Sequence, residues 1–149
     1  MKILDNDIFF AQVEEMIADG QNVVMRVKGH SMRPFIRDGR TRVQLSPCDA
    51  DSVRKGDIVL FRYRGHHVMH RIIARSGDRL TLAGDGNYRK FEHCDIRDVV
   101  AIVNGIIRPD GNVIRCTSSR WRTASAIWVA MPQFIRRCIL GILWRSGIR

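Results

Sequence analysis

Three side chains of this 149-residue chain have the types that acyl transfer to water requires, in the order Ser31, His70, Asp85. A hydroxyl is a poor nucleophile at its own pKa and needs a neighbouring base to take its proton. The base needs a further group that fixes its tautomer and orientation. Each candidate stands in a compact motif: Gly29-His30-Ser31-Met32-Arg33-Pro34, Val68-Met69-His70-Arg71-Ile72 and Gly84-Asp85-Gly86-Asn87.

Local pattern supports these roles to different degrees. Residues 68–73 are apolar and β-branched enough to predict a strand, with Val68, His70 and Ile72 on one face and Met69, Arg71 and Ile73 on the other. An imidazole set among aliphatic side chains is suited to general-base work near neutral pH. Ser31 would otherwise only cap a turn fixed by Pro34. Gly29 lets the backbone approach a substrate closely, and the Ser31 amide is placed to donate to an oxyanion; Gly29 and Met32 are the candidate oxyanion and substrate-binding positions. The orienting carboxylate is assigned to Asp85. The segment Tyr88–Ile96, read as a loop, offers Glu92 and Asp95 as substitutes, with Asp95 the next choice. No metal and no cofactor are expected. His66 and His70 share a strand face but stand about 13 Å apart, too far for ligands that must each lie about 2 Å from one zinc ion.

The elements Gly-x-Ser-Met-x-Pro, Gly56-Asp57-Ile58-Val59, His70-Arg71-Ile72 and Gly84-Asp85-x-Asn87 occur in one order. Together they resemble the type I signal peptidases and their self-cleaving SOS-repressor relatives, from about Val23 to Ile107. That resemblance implies a coiled, largely β catalytic domain with the nucleophile at the end of an early strand. It also implies a serine served by a lysine base in most bacterial members and by a histidine in the endoplasmic-reticulum type. The lysines here are Lys2, Lys28, Lys55 and Lys90, and none follows the apolar run Ile58–Phe61 where a lysine base would lie. His70 does, so the resemblance is to the histidine-using branch. Signal peptidases commonly carry a serine two residues before the nucleophile; this chain has Gly29 there, as the repressors do.

The expected fold is mostly β: a coiled antiparallel catalytic domain with a short N-terminal helix and a C-terminal amphipathic helical tail. Phe9, Val13, Met16 and Ile17 predict a helix over 5–19, closed by Gly20. Strands are expected at 22–27, 42–45, 57–63, 67–75, 79–83, 97–107 and 112–116. No room is left for the DNA-binding helices of the repressors. Residues 1–116 form the expected catalytic domain and 117–149 the tail, where Pro132 should kink or split the helix near Met131.

Net charge is +10, and the tail carries six arginines (120, 122, 136, 137, 145, 149) with no acid and no lysine. Its longest charge-free stretch, Thr123–Ile135, is 13 residues, short of the roughly 20 that span a bilayer. A stripe of Ile, Leu, Phe and Trp beside arginines has the composition of an interfacial helix, so an anionic membrane surface is one expected partner; packing on the β domain is the other reading. Aromatic residues amount to 7%, too few for a stacking platform, and nucleic acid is not an expected partner. Cys48, Cys94, Cys116 and Cys138 suggest neither a zinc site nor a disulfide framework. Without a secretory signal or an 18-residue apolar run, the expected location is cytoplasmic, or peripheral on the cytoplasmic face of the membrane. The expected function is a signal-peptidase-like serine endopeptidase acting on a precursor polypeptide. A self-cleaving regulator with the same chemistry stays open, as does a non-enzymatic basic module that binds nucleic acid.

Overall fold

The run Ile58–Phe61 is apolar at every position, which alternation explains only if both faces of its strand are buried. The computed structural model, which describes residues 6–29, 31–37 and 39–145, has that arrangement. The strands are β1 (Val23–Arg26), β2 (Arg42–Ser46), β3 (Ile58–Tyr63), β4 (His66–Ser76), β5 (Arg79–Gly84), β6 (Asn87–Asp95), β7 (Val99–Ile107) and β8 (Val113–Arg115). They form one sheet in the order β1-β2-β7-β3-β4-β5-β6, with β8 also on β7, and the pairings among described residues are antiparallel. One face packs Ile58 and Leu60 with Val43, Leu45, Val103 and Ile106. The other packs Val59 and Phe61 with Ile72, Leu80, Leu82 and Ile96. Each such side chain contributes about 1.5–3 kcal/mol on burial.

The expected mostly β fold is present, with a helix before the sheet and two after it: α1 (Asn6–Ala18), α2 (Ser119–Ala130) and α3 (Gln133–Arg145). One strand departs from expectation. Residues 88–96 are not a loop, because β6 occupies most of them and pairs along β5. Its period-2 signal was hidden because one inward position is the acid Glu92, whereas Phe91 points out to solvent.

Helix α1 seats Val13 and Ile17 in the core. Glu14 then accepts from Arg62 Nε at 2.7 Å and pairs with His67 Nε2 at 2.8 Å, while Phe10 stacks on the His67 ring at 4.6 Å. Burial works to raise the Glu14 pKa, but the bonds from Arg62 and His67 outweigh it and hold the carboxyl below its ordinary value. This clamp therefore contributes at neutral pH and is lost as pH falls through the carboxylate range.

The tail divides into two helices with different surroundings. Ser118 caps α2 by accepting from the Trp121 amide, and Trp121, Ser125 and Trp128 face the protein and are buried. Pro132 ends that helix, and α3 leaves at a bend of 115°. Arg136 donates to the carbonyls of Met131 and Val129, closing the C-terminal end of α2. On one side of α3, Leu140, Leu143 and Trp144 border a cavity of about 190 Å³ shared with Arg33, Pro34 and Arg37. Its other side leaves Phe134 and Ile142 exposed at 68% and 66%. Trp121→Ala is expected to lower the unfolding free energy by about 3–5 kcal/mol, and Phe134→Ser by no more than about 0.5 kcal/mol. Urea titration of both variants checks this; similar losses would mean that α2 and α3 are equally part of the core.

Candidate active site

Adjacent residues on a strand point to opposite faces, and residues directly opposite in an antiparallel pair share a face. Arg71 on β4 pairs with Ala83 on β5, so the preceding His70 faces the following Gly84. His70 lies on the side of Ile72 and Leu82, and Arg71 lies on the other. Asp85, in the turn after β5, bonds to Arg71 on that other side. Two dipeptides, His70-Arg71 and Gly84-Asp85, thus place one pair of residues on each side of the sheet.

On the first side, the missing Gly84 side chain is what brings the motifs together. A Cβ built on Gly84 would lie 2.4 Å from the Ser31 carbonyl oxygen and 3.1 Å from His70 Nε2. Real Cβ atoms do not tolerate the first contact, so only glycine permits this approach. The Gly86 amide donates to the Ser31 carbonyl at 2.7 Å, fastening the turn after β5 to the serine turn. The serine turn is held from beneath by Met32 and Ile36, both in the core, with the Ile36 amide donating to the Met32 carbonyl. Ser31 itself is half-buried.

A carboxylate also reaches His70 from β6, two strands away. Glu92 Oε2 lies 2.9 Å from His70 Nδ1, and both residues are buried. A carboxylate accepts, so it is the tautomer with its proton on Nδ1 that makes this bond, and Nε2 lies on the side of the Ser31 backbone. The carboxylate bonded to His70 is therefore that of Glu92, the substitute ranked behind both aspartates.

Asp85 has a different partner. Its two oxygens accept from Arg71 Nε at 2.8 Å and Nη2 at 2.7 Å, and the Arg71 side chain is 0% exposed. These bonds draw the Asp85 carboxylate to the Arg71 side of the sheet. Burial pushes its pKa up, and the bidentate guanidinium works against that rise. Asp95 lies three residues beyond Glu92, about 10 Å along the strand. It caps the single 3₁₀ turn Ile96–Asp98 by accepting from the Arg97 amide. Bonds from the Arg97 backbone and side chain hold its carboxyl below the usual range. Neither aspartate orients the ring.

The two candidate binding positions differ in kind. Gly29 has φ 99° and is exposed, a conformation that favours glycine. The Met32 side chain is only 2% exposed and belongs to the core, so any contact it makes with a substrate falls to its backbone. Among the described residues no three His, Cys, Asp or Glu side chains gather where they could hold a metal ion.

The family model described as Peptidase S24-like matches residues 3–107. The chain belongs to that family. Membership places it in the superfamily of serine peptidases and self-cleaving regulators. The match takes in α1, which the motif resemblance beginning near Val23 did not include, and it ends with β7. The S24-like segment therefore contains Ser31, His70, Gly84, Asp85 and Glu92, and leaves β8, α2 and α3 outside it. No curated protein matches the chain.

Breaking a buried ion pair by removing one charge typically costs about 3–5 kcal/mol, because the partner stays buried and uncompensated. Asp85→Asn is expected to lose that much stability. Asp95→Asn, at an exposed cap, is expected to lose about 1 kcal/mol or less. Denaturant titrations compare the two, and an Asp85→Asn loss as small as that at Asp95 would contradict the structural role given to the Arg71 pair.

Proposed function

We propose that the chain is a serine endopeptidase of signal-peptidase-like kind that cleaves a precursor polypeptide, with Ser31 as nucleophile, His70 as base and Glu92 as its orienting group. The reading rests above all on the His70 ring, whose Nδ1 is bonded to Glu92 and whose Nε2 lies beside the Ser31 backbone across Gly84. In the first step Nε2 takes the hydroxyl proton as Ser31 Oγ attacks the scissile carbonyl. The backbone amide of Ser31 is the proposed donor to the oxyanion, and Gly29 is the position where a substrate comes close to the backbone. The imidazolium, stabilised by Glu92, then protonates the leaving amine. A water deprotonated by the same Nε2 releases the acid and restores the hydroxyl.

Ser31→Ala and His70→Ala are each expected to abolish cleavage, and the double variant to be no worse than either, since such residues act as one unit. Glu92→Gln is expected to reduce kcat by roughly 10²–10⁴. Gly84→Ala should be as inactive as Ser31→Ala, because its methyl group would meet the Ser31 carbonyl oxygen and His70 Nε2 and force the serine turn away from the ring. Intact-mass measurement of the chain and of an added precursor reads all five. Retention of most activity by His70→Ala would sink the assignment. Cutting of the chain itself, unaffected by dilution, would identify the self-cleaving form of the same chemistry.

We further propose that α3 rests on an anionic membrane surface. Its exposed Phe134, Ile135 and Ile142 lie in a tail with six arginines and no acid, and arginines meet anionic headgroups favourably. Among the described residues no single helix is long and apolar enough to cross a membrane, although α2 and α3 together reach that composition across their bend. The Arg33 guanidinium sits over the Trp144 ring at 4.8 Å, so a surface that held α3 would also lie near the serine turn. Full-length protein is expected to sediment with phosphatidylglycerol vesicles and to leave them after Phe134→Ser plus Ile142→Ser. Equal recovery in the supernatant with both charged and neutral vesicles would refute this.

A further inference from the structure

Helix α2 lies beyond the S24-like segment, which ends at residue 107, yet it meets the serine turn. Its buried residues are Trp121, Ser125 and Trp128, and steps of four and three residues set them on one face. On the neighbouring flank, Arg122, Ala126 and Val129 border a cavity of about 870 Å³ between the helix and the sheet. Attachment of α2 to the body therefore falls largely to its two tryptophans.

Both tryptophans meet the same ring. Phe35, four residues after Ser31, stands edge-to-face with Trp121 at 5.2 Å and with Trp128 at 5.5 Å. In that arrangement the positive edge of one ring faces the negative face of the other. Ser125 between the tryptophans is small, so one ring can reach both indoles. The two are not equivalent. Trp121 also belongs to the apolar core and lies against Arg71, so its loss is felt throughout the fold. Trp128 is 5% exposed but stands in neither of the apolar clusters on the two faces of the sheet. Its indole N–H has no hydrogen-bond partner among the described residues, and a buried N–H without one costs stability. What Trp128 offers is its ring, and Phe35 lies against it.

The serine turn is fixed elsewhere by Met32 and Ile36 in the core and by the Ser31 carbonyl on the Gly86 amide. Phe35 adds a further point on the side of α2, and a third point fixes an orientation where two leave a hinge axis. A misplacement of about 1 Å in such a site costs on the order of a hundredfold in rate. We propose that Trp128 is a positioning residue for Ser31: acting through Phe35, it holds the serine turn against the His70 ring. Helix α2 is then a working part of the site, although it lies outside the family segment. Its value to catalysis rests on Ser31 being the nucleophile, as proposed above, whereas the placement of the turn does not.

Two readouts on the full chain test this. One is the rate of labelling at Ser31 by a fluorophosphonate, whose fluoride the serine Oγ displaces. The other is the amide proton shift of Gly86, which follows its bond to the Ser31 carbonyl. Trp128→Leu keeps apolar bulk without a ring and is expected to be labelled at least about tenfold more slowly than the unaltered chain, with the Gly86 proton moved upfield. Trp128→Phe restores a ring and is expected to be labelled within about twofold of the unaltered chain, with the Gly86 proton in place. Phe35→Leu should match Trp128→Leu, and the double variant should be no slower than either, since one residue acts through the other. Near-ultraviolet circular dichroism verifies that Trp128→Leu is folded, and Phe35→Leu decides the matter if it is not. Unchanged labelling of Trp128→Leu, an equal loss in Trp128→Phe, or additive losses in the double variant would overturn the proposal. So would a Gly86 proton that stays in place in Trp128→Leu. An unaltered chain that is never labelled at Ser31 would remove the nucleophile reading alone, and the Gly86 shifts would then decide the positioning.

Discussion

The architecture turns on one buried ion pair, Arg71 with Asp85, and on the strand alternation that accompanies it. A guanidinium with no solvent exposure must be met by fixed acceptors. Here two come from Asp85 and one from the Gly56 carbonyl. Phe35 from the serine turn and Trp121 from α2 lie against it at 5.3 and 5.4 Å. The pair thus locks β4 to β5 and gathers the serine turn and the first tail helix around one charge. A pair this deep is no guarantee of net stability. Its structural consequence is geometric: with Arg71 and Asp85 on one side, His70 and Gly84 are held on the other.

That second side is organised by an absence. Gly84 contributes no side chain, and the Ser31 carbonyl and His70 Nε2 both press into the space a methyl group would need. Glu92, opposite Leu82 in the sheet, meets the other nitrogen of the ring. A larger residue at this one site would separate the serine turn from the imidazole. The Gly-Asp dipeptide therefore serves both faces at once, an open approach on one and a counter-charge on the other.

The tail also has two kinds of surface. Helix α2 gives Trp121 to the core and borders the large cavity, whereas α3 closes over Arg33 and Pro34 and leaves its remaining apolar residues in the open. Pro132 and the Arg136 contacts with Met131 and Val129 fix where one kind of surface gives way to the other. The core-packing reading of this segment holds for α2, and α3 keeps the exposed apolar surface on which the membrane proposal rests.

Much was legible in the residues alone: the mostly β pattern, α1, most strand positions, the break near Met131, and Ser31 and His70 as residues of one site. These follow from local rules, namely period-2 alternation, turn-forming glycines and proline, and motif order. Which carboxylate meets His70 was not legible in that way. Asp85 stands in the turn after β5, and its oxygens are taken up by Arg71, a partner that only the strand pairing brings near. Glu92 was concealed for another reason, since it is an acid at an inward position of β6, which therefore reads as a loop. Only pairing with β5 makes it a strand, and only the sheet register sets its carboxylate 2.9 Å from the imidazole. Sequence determines which way a side chain points on its own strand; which strand lies beside it is settled by long-range packing that no local pattern encodes.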